Sequence, residues 1–299
     1  MPPQLHFHPE VKAALDQGKA VVALESTVIT HGLPAPENIE VARAIEAAVC
    51  EQGATPATIA ILSGEITVGL TPEQLVYLGS AKNVHKCSRR DFPVVVARGE
   101  DGATTVAGTM MVAHWAGIRV FATGGIGGVH RDHPFDESAD LLELGRTPVA
   151  VVCAGAKAIL DLPLTLEVLE TQGVPVIGYQ TDEFPAFYSR SSGLPLELWV
   201  ETVSEIAAIL KAHDQMGLTM GTVITNPVPV ADEWPAVEAQ SVIEQALRDA
   251  ETDRISGKAV TPYLLQRVSD LSGERSKKAN IALLLNNARL AAQIALALE

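Results

Sequence analysis

Aromatic side chains are scarce in this 299-residue chain, at six Phe, four Tyr and three Trp, 4% together. That scarcity excludes a core built around rings, so Ala, Val, Leu and Ile, the bulk of a 47% hydrophobic fraction, must fill it. Trp115, Trp199 and Trp234 are expected to occupy core or interface space rather than to stack on bases. Cysteine is nearly absent. Cys50, Cys87 and Cys153 show no metal-type spacing, and an odd count in an aliphatic chain predicts reduced thiols without disulfides. Long apolar runs are missing too: residues 149–156 fall far short of the roughly 18–20 needed to span a bilayer, and residues 1–19 lack the apolar stretch of a signal peptide. The expectation is a soluble, cytoplasmic protein with no membrane partner. Cations are outnumbered, 22 Lys and Arg against 36 Asp and Glu, and the formal charge of −14 repels nucleic acid and anionic lipid at long range. A phosphate-bearing ligand must therefore be small, held by local cations and backbone N–H groups.

What is present is alternation. Short β-branched runs at residues 20–25, 58–62, 92–97, 119–123, 148–154, 174–180 and 222–225 are separated by helical patterns, as in βαβ units. Between them, residues 40–50 put Val41, Ala44, Ile45, Ala48 and Val49 on one helical face, with Gly53 as a stop. Residues 232–299 read as consecutive helices. The fold class predicted is α/β, with α/β/α layers, a mainly parallel central sheet covered on both faces and a helical C-terminal segment. No repeat or low-complexity tract divides the chain, which predicts one domain over residues 1–299.

In open α/β sheets the working residues gather beyond the carboxyl ends of strands. Glu25 ends the run Val21-Val22-Ala23-Leu24, either as a capping or salt-bridging carboxylate or as a general acid/base aimed into the crevice. Gly124, Gly125, Gly127 and Gly128 follow the strand at 119–123, where backbone N–H groups can cradle an anion; the spacing is not a dinucleotide fingerprint. Asp136-Glu137-Ser138-Ala139-Asp140 offers oxygen ligands for Mg²⁺ or Mn²⁺, while Ser138 also suits the cap of a helix at 139–144. Lys157 follows a buried strand and a small-residue turn at the start of a helical pattern over 156–160. Apolar surroundings and a nearby positive helix end are expected to favour the neutral amine that a Schiff-base nucleophile requires. Lys86-Cys87-Ser88-Arg89-Arg90-Asp91, ahead of the presumed strand at 92–97, is either a phosphate grip or a solvated charge run.

These stretches, together with Ala107-Gly108-Thr109-Met110, Gly178-Tyr179-Gln180-Thr181, Thr261-Pro262 and the segment from Asn280 to Asn287, resemble the pseudouridine-5′-phosphate glycosidases, or indigoidine synthase A-like family, in order over nearly the whole chain. The resemblance implies a homotrimer of α/β/α subunits needing a divalent metal, Mn²⁺ or another such as Mg²⁺. It implies Lys157 as the nucleophile at C1′ of the ribose and Glu25 as proton donor. Lys86, Val106, Ser138, Ala139, Asp140, Asn280 and, as an additional contact, His130 match substrate-binding positions, and Asp136 matches the metal-binding carboxylate. The segment between Arg131 and Phe135 departs from the family pattern by being a couple of residues short.

The reaction so implied is the reversible cleavage of pseudouridine 5′-phosphate to uracil and ribose 5-phosphate. Ordinary glycosidases use two carboxylates on a C–O or C–N bond; a C–C glycoside has a carbon leaving group, for which ring opening and a covalent lysine adduct offer a route. Two other readings stay open on the residues: a class I aldolase-like sugar-phosphate lyase using the same Lys157, and a non-catalytic sugar-phosphate-binding accessory protein.

Overall fold

A computed structural model describes residues 4–131, 133–255 and 260–299, the Pro134 side chain aside. Its strands are β1 (Leu5–Phe7), β2 (Val21–Leu24), β3 (Thr55–Leu62), β4 (Glu65–Val68), β5 (His85–Cys87), β6 (Gly102–Thr104), β7 (Val120–Ala122), β8 (Val129–His130), β9 (His133–Glu137), β10 (Ala150–Cys153), β11 (Leu160–Asp161), β12 (Val176–Tyr179), β13 (Leu198–Val200) and β14 (Thr222–Thr225). The helices are α1 (Pro9–Asp16), α2 (Thr27–His31), α3 (Glu37–Glu51), α4 (Pro72–Ser80), α5 (Phe92–Arg98), α6 (Val106–Ala116), α7 (Ala139–Leu144), α8 (Leu162–Thr171), α9 (Val203–Gln215), α10 (Ala236–Thr252), α11 (Val260–Ser272) and α12 (Glu274–Ala297).

The main sheet runs β1-β4-β3-β2-β7-β10-β14-β12-β13, with β6 hydrogen-bonded to β3 and β5. From β3 through β13 every pairing is parallel; β4 and β6 join β3 antiparallel. β2, β10 and β14 are buried along their whole length, as strands covered on both faces must be. Helices α6 and α12 both lie on β2 and β7 while packing instead on α7 and on α3 and α9 respectively, which puts them on opposite faces. The layered α/β/α architecture with a helical C-terminus is the one expected. A second sheet, β11-β8-β9, is antiparallel and stands beyond the carboxyl ends of β7 and β10. No helix among the described residues is long and apolar enough to cross a membrane.

Two expectations are corrected. Residues 92–97 are helix α5, not a strand. Asp91 precedes it, Pro93 occupies its first turn and Gly99 ends it at φ 64°. Only Phe92 and Val95 are buried, a three-residue spacing, while Val94 and Val96 face out. The helical pattern at 156–160 is instead a turn leading into β11. Gly155 has φ +80°, and a Cβ there would run into the Pro185 carbonyl, so the chain leaves β10 in a conformation that starts no helix. Helix α8 begins only at Leu162, with Asp161 accepting from Leu164 N at 3.0 Å. The shortened 131–135 segment includes Asp132, which lies outside the described residues. All three cysteines are free.

Candidate active site

The carboxyl ends of β2, β7 and β10 deliver the site, and the loop after β7 is its hub. Glu25 follows β2 directly. Its neighbour Ser26 is buried and fixed, donating to the Ile59 carbonyl at 2.6 Å and accepting from Thr104 N at 2.9 Å, which ties the β2 exit to β3 and β6. Glu25 neither caps α2 nor faces solvent broadly; its Oε1 accepts from the Thr123 hydroxyl at the end of β7. Burial pushes its carboxyl above the usual carboxylate range. The charge of Lys157 and the Thr123 hydrogen bond oppose that rise, Asp140 adds to it and Lys86 opposes it. Three candidates from distant parts of the sequence, Lys86, Asp140 and Lys157, thus act on the Glu25 carboxyl by their charge.

Lys157 sits on the turn after β10. Its backbone N–H donates to the Ile126 carbonyl at 3.1 Å, and Ile126 N donates to Gly155 O at 3.1 Å, so the lysine turn and the glycine-rich loop are laced together. Arg131 adds bonds to the carbonyls of Ala158 and Leu160 at 2.9 and 3.1 Å. The helix end expected beside this amine is absent, and its charged neighbour is the Glu25 carboxyl instead. Cys153, at the end of β10, is no rival nucleophile, since burial pushes its thiol up to about 12.

Asp140 is buried in the first turn of α7, and its two oxygens accept from Ala107 N and Gly127 N, each at 2.9 Å. It therefore staples the N-terminus of α6, where Val106 is buried, to the glycine loop. Ser138 caps α7, accepting from Asp140 N at 3.3 Å, with Ala139 exposed beside it. Any Cβ on Gly127 would collide with Ser138 Oγ and Asp140 Oδ2, which is why glycine is needed there. Asn280 of α12 reaches the same loop, its Oδ1 3.6 Å from where a Cβ on Gly124 would stand.

The second sheet carries His130 and Asp136. His130 Nδ1 lies 2.9 Å from Asp136 Oδ2, and His130 Nε2 is buried without a partner among the described residues. Asp136 is half exposed. Among the described residues no group of three or more His, Cys, Asp or Glu side chains could hold a metal ion. A half-exposed carboxylate suits a hard cation that retains most of its waters, as Mg²⁺ and Mn²⁺ do.

The Lys86–Asp91 cluster divides. Lys86, on β5, acts by its charge on Glu25 and His31. Arg89 is engaged by a carboxylate: its Nε donates to Glu143 Oε2 at 2.9 Å and its NH2 to Glu143 Oε1, and Arg146 and Thr147 donate to the same carboxylate. Arg90 is exposed. Sequence reasoning missed Thr123, whose signal was a hydroxyl ending a strand, and His31, whose imidazole burial and then the Lys86 charge hold below its ordinary value. It also missed a role for Asn287, a buried amide on the apolar face of α12.

The family model for indigoidine synthase A like protein matches residues 10–297. A pseudouridine-5′-phosphate glycosidase of Methylobacterium nodulans is 59% identical over 99% of this chain and 89% of its own length. One of Solibacter usitatus is 57% identical over 99% of both. Among solved structures, the prealnumycin C-glycosynthase AlnA in complex with ribulose 5-phosphate superposes with a TM-score of 0.91 at 41% identity, covering 99% of this chain and 98% of that one. An indigoidine synthase A-like protein of Thermotoga maritima does so at 0.88 and 37% identity, covering 98% and 95%.

Proposed function

Because the chain belongs to the indigoidine synthase A-like family, we propose that it catalyses the reversible cleavage of pseudouridine 5′-phosphate to uracil and ribose 5-phosphate. The observation that supports this reading is that the part-buried Glu25 carboxyl, at the end of β2, lies within reach of the charge of Lys157 on the turn after β10. A relative solved with ribulose 5-phosphate is a C-glycosynthase, which supports five-carbon sugar phosphates as the substrate class and C–C glycosides as the bond type.

In the reaction proposed, the Glu25 carboxyl, whose hold on a proton burial strengthens, gives that proton to the ring oxygen as the C1′–O bond opens. The Lys157 amine adds to C1′. Of the two protons the amine loses, one returns to Glu25 and the other goes to C5 of uracil, which takes the electron pair of the breaking C1′–C5 bond and leaves an imine on Lys157. Water hydrolyses the imine, regenerating the amine and releasing ribose 5-phosphate. Lys86 and the Val106 amide at the start of α6 are suited to the phosphate, with Ser138, Ala139, Asp140 and Asn280 around the sugar and base. Asp136 would hold Mn²⁺ or Mg²⁺, with His130 orienting its carboxylate, and the cation would supply positive charge to the phosphate end. Residues 1–299 act as one catalytic domain in a cytoplasmic homotrimer, a part of the proposal that rests on the family resemblance.

Incubation of the protein and Mn²⁺ with pseudouridine 5′-phosphate is expected to release uracil and ribose 5-phosphate in equal amounts. Turnover confined to aldol-type sugar phosphates, or binding without turnover, would overturn the reading in favour of a lyase or an accessory protein.

A further inference from the structure

One side chain outside the groups given a chemical role reaches two strand ends at once. Asn287 of α12 is fully buried, and its amide is committed on both sides. Nδ2 donates to the Thr123 carbonyl at 2.8 Å and lies 3.4 Å from the Gly124 carbonyl, while Oδ1 accepts from Asn226 Nδ2 at 3.1 Å. Thr123 and Gly124 follow β7, and Asn226 follows β14. Between them the exit of β10 is bound to the same frame, because Ala154 N donates to Gly124 O and Asn226 N to Cys153 O, both at 2.8 Å. The buried amide thus joins the carboxyl ends of β7 and β14, the two strands that flank β10.

What hangs from that bridge is the reacting pair. Thr123 holds the Glu25 carboxyl through its hydroxyl. Three residues further along the same loop, Ile126 accepts from the backbone of Lys157. Asn280, two helical turns before Asn287, touches the loop at Gly124, so α12 lies along it. A displacement of the Thr123–Gly124 carbonyls would shift the acid and the lysine relative to one another.

Resting on the function proposed above, we propose that Asn287 is a positioning residue: by fixing the Thr123 and Gly124 carbonyls it sets the separation of the Glu25 carboxyl from the Lys157 amine. It touches no reacting atom. A merely structural anchor would cost stability alone, whereas a positioning residue alters kcat and the titration of the acid it holds in place. Lys157, Thr123, Asp140 and Lys86 are the groups that face Glu25. The Thr123 hydroxyl bond favours the ionised carboxylate, so loosening it moves the alkaline fall of the rate, where a proton donor is lost, to higher pH.

The test compares Asn287→Ala with Ile294→Ala, a fully buried change on the same helix about 10 Å further from the loop. Tm, kcat, KM and pH–rate profiles are measured on pseudouridine 5′-phosphate. Both variants are expected to lose Tm. Only Asn287→Ala should lose kcat, by about 10²-fold with KM little changed, as a misplaced catalytic group does, and only it should shift the alkaline limb upward. Equal kcat and unshifted profiles in the two variants would overturn the proposal. If Asn287→Ala does not fold, Asn226→Ala, which removes only the bond to Oδ1, decides: a smaller kcat loss with the same upward shift supports the proposal, and an unaltered profile overturns it. Failure of the unmodified protein to release uracil counts against the function, not against the positioning role.

Discussion

Replacing Arg89 by Ala separates a phosphate grip from a structural clamp. The Glu143 carboxylate has no exposed side-chain surface, and Arg89 presents two donors to it from the loop after β5. Hydrogen bonds to a charged partner contribute about 1.5–3 kcal/mol each net of water, but the Arg89 side chain is 42% exposed, and solvent screening puts its pair near the low end. Arg146 and Thr147 remain on Glu143 after the substitution, so the carboxylate is not orphaned. We therefore expect a loss of about 2 kcal/mol, which in a chain of this size lowers Tm by roughly 3 °C. The effect depends on pH with a definite sign. Burial works to raise the Glu143 carboxyl, yet the bonds from Arg89, Thr147 and Arg146 outweigh it and hold the group below its ordinary value. A depressed carboxyl stabilises the fold above its unfolded pKa and loses that contribution as pH falls through the folded value. The gap in Tm between parent and variant should be full at pH 7 and close on acidification below about pH 4. Scanning calorimetry across pH, paired with KM for the phosphate substrate, reads both quantities. A Tm unchanged at pH 7 together with a tenfold or greater rise in KM, about 1.4 kcal/mol of lost binding, would refute the clamp and restore Arg89 to the phosphate.

Glu25→Gln should abolish turnover while leaving the fold at least as stable at pH 7. A carboxyl raised by burial stabilises the protein below its unfolded pKa and less as pH rises through its folded one, so the neutral isostere removes a cost at neutral pH; a large fall in Tm would make Glu25 structural. Asp136→Asn should raise the Mn²⁺ concentration needed for half-maximal activity and leave Tm unmoved, read by a metal titration after chelation. An unchanged metal dependence would remove Asp136 from the cation. Gly127→Ala should cost activity on the scale of a catalytic substitution, because the added methyl displaces Ser138 and Asp140; wild-type kinetics would show that the α6–loop staple is dispensable.

Much of the sheet was legible because strands buried on both faces advertise themselves: β2, β10 and β14 are unbroken apolar or β-branched runs. Short edge strands carry no such mark. β4 was missed although Ser63-Gly64, both at positive φ, make the tight two-residue turn that folds it back on β3. α5 was misread because Val94, Val95 and Val96 have strand propensity while tertiary packing buries only Phe92 and Val95. At the site, Glu25 and Lys157 were visible as polar residues at strand exits. The partners that fix them were not, since Thr123, Asn226 and Asn287 converge from separations of up to 164 residues. The helix end assigned to Lys157 was an artefact of reading Ala-Lys-Ala as a first turn, where Gly155 and the bridge from Ile126 to Ala156 impose a turn.

The account depends above all on which amine bonds to the sugar. Borohydride reduction in the presence of ribose 5-phosphate, followed by peptide mass analysis, should place a reduced pentose-phosphate adduct on Lys157, absent from Lys157→Ala. An adduct on Lys86 with Lys157 unmodified, or trapping undiminished in Lys157→Ala, would contradict it.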